Sequence, residues 1–374
     1  MLRRVSNLQG KNINMLIISD QDVRELLSTA ECVPVMETCF REYGSGIAKS
    51  TPRNRYGLSL DGEVNYYSNV LTGAVPAFKT AAVRIDSNHR YDRYDDETGT
   101  PTRIEFIKAD ARDYGIVLLF SIETCALLAI IQGFWLSAVR VGATTGVAVD
   151  QLAISGTVRV GQFGTGKQAR TNLAGICAVR DVSEVKVFSP NPEHRKEFAT
   201  DMSDQLGVDI VPVSSAREVV DGVHIVSSAT SASSPVFDGK WLEPGQLVTS
   251  IANADVLHPG RMEVDETTLD RADTIVINDL ASVKANLQVE LDKPLADEKV
   301  YELGSVLTGA SPGRQTDDQI IYYKSNVGLG IQFAAAGAIV YEKALARGMG
   351  HAVPDDMFFT DLTSWYQKGF FPSA

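Results

Sequence analysis

Of 374 residues only four are cysteine and five are histidine. Cys32, Cys39, Cys125 and Cys177 form no CxxC pair. A chain of this length needs no disulfide scaffold, so reduced thiols and a cytoplasmic location are expected. The histidines (His89, His194, His224, His258 and His351) contain neither an HxxxH nor an HxH pair, and no metal site is expected. Basic residues are also few. Lys and Arg total 35 against 47 Asp and Glu, a formal net charge of −12. That balance argues against nucleic acid as a partner, because phosphate binding needs clustered cations. A long apolar run is missing as well. The most apolar stretch, "IVLLFSIETCALLAII", is broken by Glu123 and Thr124 and reads as a buried hairpin, so no membrane span is expected. The opening "MLRRVSNLQGKNIN" carries two arginines with no apolar core behind them, so it is read as a frayed tail and not a secretory signal.

What is present looks like an ordinary enzyme: 44% hydrophobic, 22% charged, and long enough for more than one domain. "LIISDQDVRELL" reads as a strand and a short helix capped near Ser19 or Asp20. Ser28-x-x-Glu31 is a capping box that opens a second helix. Cys32 and Cys39 share its apolar face with Met36, Phe40 and Tyr43, a core-packing pattern. "RNRYGLSL", "VNYYSNVL", "AFKTAAVRI", "RIEFIKAD" and the hairpin follow as strands without helices between them, which implies a largely antiparallel sheet. "DSNHRYDRYDDETGTP" among them reads as a long surface loop, either ornamental or a lid or subunit contact. "FWLSAVRVGATTGVAVDQLA" reads as a long buried helix. After it strand and helix alternate, the pattern of a doubly wound parallel sheet. The last apolar helix, in "NVGLGIQFAAAGAIVYEKALARG", could return to the first domain.

"GQFGTGKQAR", residues 161–170, reads two ways. Gly161, four residues, then Gly166-Lys167 resembles a phosphate loop for a nucleoside triphosphate. That loop needs Ser or Thr directly after the lysine to bind magnesium, and here the residue is Gln168. Gly164-x-Gly166-x-x-Ala169 instead matches a dinucleotide fingerprint set between a strand and a helix. Gly164 permits the tight turn, Gly166 lets the backbone approach a pyrophosphate, and Ala169 lets the helix pack close. Thr165, Lys167 and Gln168 complete the expected cofactor loop. The next strand, "EVKVFS", ends without the acid that would choose NAD through the ribose 2′-hydroxyl. Ser189, Asn191 and Arg195 stand there instead and favour NADPH slightly over NADH.

The chain resembles the ornithine cyclodeaminase/mu-crystallin superfamily, which includes archaeal-type alanine dehydrogenases and cyclic imine reductases. The resemblance rests on "SDQDVRELL", "CFREYGSGIAKSTPRNR", "AFK", "GFWLSAVRVGATT", "GTGKQART", "VFSPNPEHRKEFA", "SSATSASSPVFDGKWLEPG", "YELGSVLTGASPGR" and "VGLGIQFAAAGAIVYEKA". It implies an α/β fold: a Rossmann NAD(P)-binding domain, residues 141–321, and a discontinuous α+β substrate and dimerisation domain, residues 1–140 with 322–374. It implies a homodimer joined through the open sheet of the substrate domain. Carried over residue by residue, it places Arg55 (with Arg53 as competitor) and Arg140 on a substrate carboxylate. It makes Lys79 and Asp255 catalytic, and it sets Ala229 and Thr230 of "SSAT" beside the cofactor. Arginine forks suit a bidentate carboxylate clamp. A lysine among arginines would have its pKa lowered towards neutrality, and an Asp near the nicotinamide would stabilise a developing iminium.

The sequence departs from the family where ornithine-specific members carry an acid for the distal amine. The position falls near Tyr66, with no acid at hand, which puts a dibasic substrate in doubt. The expected protein is an NAD(P)H-dependent oxidoreductase of a small 2-imino or 2-amino acid. The alternatives are a cyclodeaminase that recycles bound NAD, and a mu-crystallin-like binding protein without turnover.

Overall fold

The computed structural model describes residues 15–61, 64–94, 101–105, 113–252, 262–286 and 288–363. The chain enters through β1 (Met15–Ile18) and turns at Ser19 into α1 (Asp20–Leu26). Ser19 and Asp22 form a reciprocal capping box, as Ser28 and Glu31 do for α2 (Thr29–Gly44). Next come β2 (Lys49–Ser50), β3 (Asn54–Asp61), β4 (Val64–Val75), a 3-10 turn at Pro76–Phe78, β5 (Thr80–Tyr94) and β6 (Pro101–Glu105). The expected hairpin is β7 (Ile116–Ser121) and β8 (Leu127–Gln132), and the expected buried helix is α3 (Gly133–Leu152).

Alternation begins after α3: β9 (Val158–Phe163), α4 (Lys167–Val179), β10 (Val182–Phe188), α5 (Pro192–Leu206), β11 (Ile210–Pro212), α6 (Ala216–Val220), β12 (Ile225–Ser228) and β13 (Leu247–Ser250). α7 (Glu266–Arg271), β14 (Thr274–Ile277), α8 (Ala281–Ala285), α9 (Asp292–Ala296), β15 (Val300–Glu302), α10 (Leu303–Leu307) and β16 (Ile321–Lys324) follow. α11 (Gly330–Arg347) and β17 (His351–Val353) return to the first sheet.

The first sheet runs β17-β1-β8-β7-β5-β4-β2, with β3 on β4 and β6 on β5. Its described pairings are antiparallel except β1 with β8. The second runs β11-β10-β9-β12-β13-β16-β14-β15, all parallel. Strand order reverses between β9 and β12, and the carboxyl ends of strands at such a reversal form the ligand crevice of open α/β sheets.

Two expectations need correction. The domain boundaries at 140/141 and 321/322 fall inside elements. Residue 140 lies within α3, and Ile321–Lys324 pairs with both β13 and β14 in the parallel sheet. The chain thus crosses after α3 and returns with α11. The segment read as a surface loop is largely strand: β5 runs on to Tyr94 and pairs with β6. Backbone pairing there needs no apolar face, so polarity concealed it. Residues 95–100 lie outside the described residues. Among the described residues no helix is long and apolar enough to cross a membrane.

One face of the first sheet is covered. Odd residues of β4 and even residues of β5 point towards α11, as the close approach of Gly73 to Gly330 and Ile331 shows. Leu71, Ala82, Val117, Leu119 and Ile131 form the core on that side. α3 and α4 cross at glycines. A Cβ at Gly142 would run into the Thr171 carbonyl, and one at Gly175 into the Gly142 carbonyl. Contact of backbone on backbone fixes the first sheet's long helix against the helix that follows the glycine loop.

Candidate active site

The glycine loop lies at the carboxyl end of β9. Gly164 adopts φ +91°, a region costly for any residue with a side chain. A Cβ there would also strike the Ala229 carbonyl oxygen. Gly166 is different. It is the N-cap of α4 at φ −80°, and a Cβ on it would meet nothing within 4 Å. The space over Gly166 and the N-terminal turn of α4, whose N–H groups point out of the helix, make the cradle that a pyrophosphate fits. Ala169 is fully buried, so the helix packs close, as expected. Ser228, at the carboxyl end of β12, has a buried hydroxyl with no hydrogen-bond partner among the described residues. An unpaired buried hydroxyl at the sheet reversal suits a dinucleotide. These residues fit a nicotinamide cofactor.

Other expected cofactor residues are arranged around this loop. Lys167 donates to the Phe134 carbonyl at 3.1 Å, and its ammonium lies 3.2 Å from the centre of the Phe134 ring. That contact ties the start of α4 to the start of α3. Thr165 and Gln168 flank it, half-buried. Ser189 follows β10, and Asn191 caps α5 by accepting from the Glu193 and His194 N–H groups. Arg195 stacks 5.0 Å from the Phe188 ring and donates to the Val213 carbonyl.

A residue the sequence did not flag holds the crevice rim. Glu263 is buried, 1% exposed. One oxygen accepts from the Thr230 N–H and hydroxyl, the other from the N–H groups of Ile251 and Ala252 at 2.9 and 2.8 Å. It thereby joins the loops after β12 and β13. Asp255, the expected carboxylate of the second loop, lies outside the described residues. No local pattern marks Glu263, since its partners lie 11–33 residues away.

Arg140 sits in α3, six residues beyond Phe134, or about 9 Å along the helix axis. It is buried, 8% exposed. Nη1 donates to Gln332 Oε1 at 2.9 Å, and the guanidinium lies against the backbone of Gly328, where a Cβ would come within 2.7–3.0 Å. Gly328 follows β16 by four residues, so Arg140 stands beside the carboxyl edge of the parallel sheet. Burial, then the charge of Arg84, pulls its pKa below the usual arginine range. Arginine starts so high that it remains a cation at neutral pH.

Arg84, on β5, was not singled out from the sequence. It is buried, and both its Nη atoms bind the two oxygens of Asp86. Burial, then Arg53, lowers its pKa. Register places Arg55 opposite Asn69 and Asn69 opposite Asp86, all on the covered face. An acid, Asp86, thus lies beside the arginines on the face opposite Tyr66, and both its oxygens are taken by Arg84. The signal was the i, i+2 pair Arg84-x-Asp86, which lies on one face of a strand.

The structure does not bring Lys79 or Tyr66 to these arginines. Lys79 is no strand residue. It follows the 3-10 turn at φ 57° and pairs with Glu123 at 2.7 Å, both side chains well exposed. It lies about 16 Å along β5 from Arg84. Tyr66 pairs with Leu58 and His89 on the opposite face from Arg55, its hydroxyl 3.1 Å from the Ser87 hydroxyl. A shift of one residue turns a side chain through the sheet, and Tyr67 is the neighbour that faces the arginines.

Two linked sheets, a dinucleotide cradle and a buried arginine at the crevice define a nicotinamide-type oxidoreductase architecture. The chain belongs to the ornithine cyclodeaminase/mu-crystallin family, whose sequence profile matches residues 14–348. It is 30% identical over 244 residues to a Delta(1)-pyrroline-2-carboxylate reductase of Bacillus cereus, covering 64% of this chain and 74% of that protein. Among solved structures it resembles Thermococcus litoralis Delta(1)-pyrroline-2-carboxylate reductase in complex with NADH and L-proline: TM-score 0.75, 28% identity, 91% of this chain and all of that one. An archaeal alanine dehydrogenase dimer with bound NAD gives TM-score 0.75 at 26% identity, covering 92% of this chain and all of that one.

Proposed function

We propose that this protein is an NAD(P)H-dependent oxidoreductase acting at the carbon–nitrogen bond of a small 2-imino or 2-amino acid. The observation that carries the reading is Arg140. It is a buried guanidinium with no carboxylate in ion-pair reach among the described residues, about 9 Å along α3 from the tether of the cofactor helix. A buried cation without a counterion is costly, and a substrate carboxylate relieves that cost. Arg140 would clamp and orient the carboxylate, so that the Cα faces the crevice rim. Arg53 and Arg55 line the approach from β3. The nicotinamide, when bound, supplies or accepts hydride. Asp255 would stabilise positive charge at the substrate nitrogen. Lys79, paired with Glu123, is given no step in this scheme.

NADPH remains slightly favoured over NADH in the proposal, on Ser189 and the nearby Arg195. NADH and NAD are properties of the solved neighbours. Fluorescence titration of both reduced cofactors decides it, and tighter NADH binding reverses the choice. The protein is proposed to act in the cytoplasm as a homodimer.

The activity is tested by NAD(P)H oxidation with 2-oxo acids plus ammonia or methylamine, and with cyclic imino acids. Steady oxidation with at least one small acid is expected. Release of ammonia and proline from ornithine, with no net change in nicotinamide absorbance, would instead establish the cyclodeaminase alternative. That alternative must hold a distal ammonium, and Asp86 is already neutralised by Arg84.

A further inference from the structure

Phe333 is fully buried at the start of α11, with two guanidiniums beside its ring. Arg84 lies 5.0 Å and Arg140 4.9 Å from its centre. The two cations are treated differently. Arg84 is neutralised by Asp86. Arg140 is held by Gln332, a fully buried neutral amide, with Ser137 a distant 3.5 Å away.

The Gln332 amide is fixed in one orientation. Oε1 accepts from the Leu329 N–H at 2.9 Å as well as from Arg140. Nε2 donates to the Thr144 hydroxyl at 2.7 Å, and that hydroxyl donates to the Arg140 carbonyl at 2.7 Å. A flipped amide would aim N–H groups at two donors. Gln332 therefore joins α11 to α3 and aims the guanidinium without cancelling its charge.

We propose that Gln332 is the positioning residue that sets the charge of the site: a neutral acceptor here reserves Arg140 for an anionic substrate. The inference rests on the reading of Arg140 as the carboxylate clamp. A glutamate at this position would keep the contacts. Thr144 has a hydroxyl proton that can turn from the Arg140 carbonyl to the second carboxylate oxygen. It would also turn Arg140 into an internal ion pair like Arg84–Asp86, which a substrate carboxylate would have to displace.

The test compares the full-length wild type with Gln332→Glu and Gln332→Met. KM and kcat are measured with the best acid from the panel above, cofactor Kd by fluorescence, and melting without ligand. Q332E is expected to raise KM by about tenfold or more, with kcat and cofactor Kd little changed, and to melt at or above the wild type. Q332M, which leaves the charge uncancelled, is expected to raise KM less than Q332E does. A smaller rise for Q332E, or a larger one for Q332M than for Q332E, overturns the proposal. Should the wild type turn over no acid in the panel, the functional reading itself fails. The charge inference falls with it, whereas a wild type that turns over an acid beside a Q332E that raises KM less than about tenfold overturns the charge inference alone.

Discussion

At the residue scale, Gly164 and Gly166 belong to one fingerprint and meet different constraints. Gly164→Ala meets both a positive φ and the Ala229 carbonyl. It should lose about 1–2 kcal/mol from the backbone alone, and cofactor binding with it. Gly166→Ala has an ordinary φ and open space, so its melting should stay within about 0.5 kcal/mol of wild type. Its methyl group would occupy the phosphate cradle, so cofactor affinity should fall. Parallel melts and NADH titrations check this, and a Gly166→Ala protein with unchanged affinity would remove the loop from the cofactor site. Arg140→Ala should raise KM by roughly 2–4 kcal/mol in transition from clamped to unclamped carboxylate, leaving cofactor affinity alone. Loss of cofactor binding as well would make Arg140 a structural residue. The glycine loop was legible in the sequence because its chemistry is local, five residues on one turn. Glu263, Gln332 and Arg84 were not, because their partners arrive from other strands and helices and nothing in their own neighbourhood announces them. Lys79 misled for a related reason: "AFK" borders a strand, and only the 3-10 turn before it shows where the side chain goes.

Elements were read best where periodicity and caps agree. Ser28 and Glu31 predicted the start of α2, and the structure adds a role for Glu31 that the motif does not contain. Its carboxylate reaches Lys343 of α11 at 2.6 Å, so the cap also ties the returning helix to the second one. The Lys343 hydrogen bond, then the Ser28 N–H, lowers its pKa from 4.5 to about 2. A carboxylate with a depressed folded pKa stabilises the fold above its unfolded value and loses that contribution as pH falls through the folded one. The window here runs from 4.5 down to about 2. Glu31→Gln should therefore cost about 1 kcal/mol at neutral pH, the scale of a lost cap partly exposed to solvent. The gap to wild type should shrink as pH approaches 2, and melts across that range would measure it. A gap independent of pH would mean that the ion pair contributes nothing. The element most completely missed was β16. The boundary that the resemblance implies at 321/322 cuts this strand after its first residue, whereas all four residues pair in the parallel sheet. Lys324 is buried, because Glu290 meets it at 2.7 Å. The polar arm of β5 was missed because register there is written in backbone bonds and not in apolar alternation.

At the scale of the whole molecule, the two faces of the first sheet differ. The inner face carries the arginines and is covered by α11. The outer face carries Tyr56, Leu58, Val70, Val83, Ile85 and Leu118, with Tyr56 59% and Leu58 56% exposed. An apolar sheet face of this extent in water is a liability for a monomer. A second copy of the chain fits it best, because a two-fold axis presents the same strands to each other and buries both faces at once. The parallel sheets would then lie outermost, with each crevice open. We predict a dimer at micromolar concentration in light scattering. Leu58→Asp is the informative variant. It sits on the outer side of β3, away from Arg53 and Arg55, so it should charge the interface without touching the carboxylate clamp. Dissociation to monomers is expected, with melting lowered and made less dependent on protein concentration. NADH affinity should hold, since the glycine loop, Ser228 and Glu263 belong to the other sheet. A Leu58→Asp protein that remains dimeric would place the interface elsewhere, and a wild-type monomer would refute the assembly altogether.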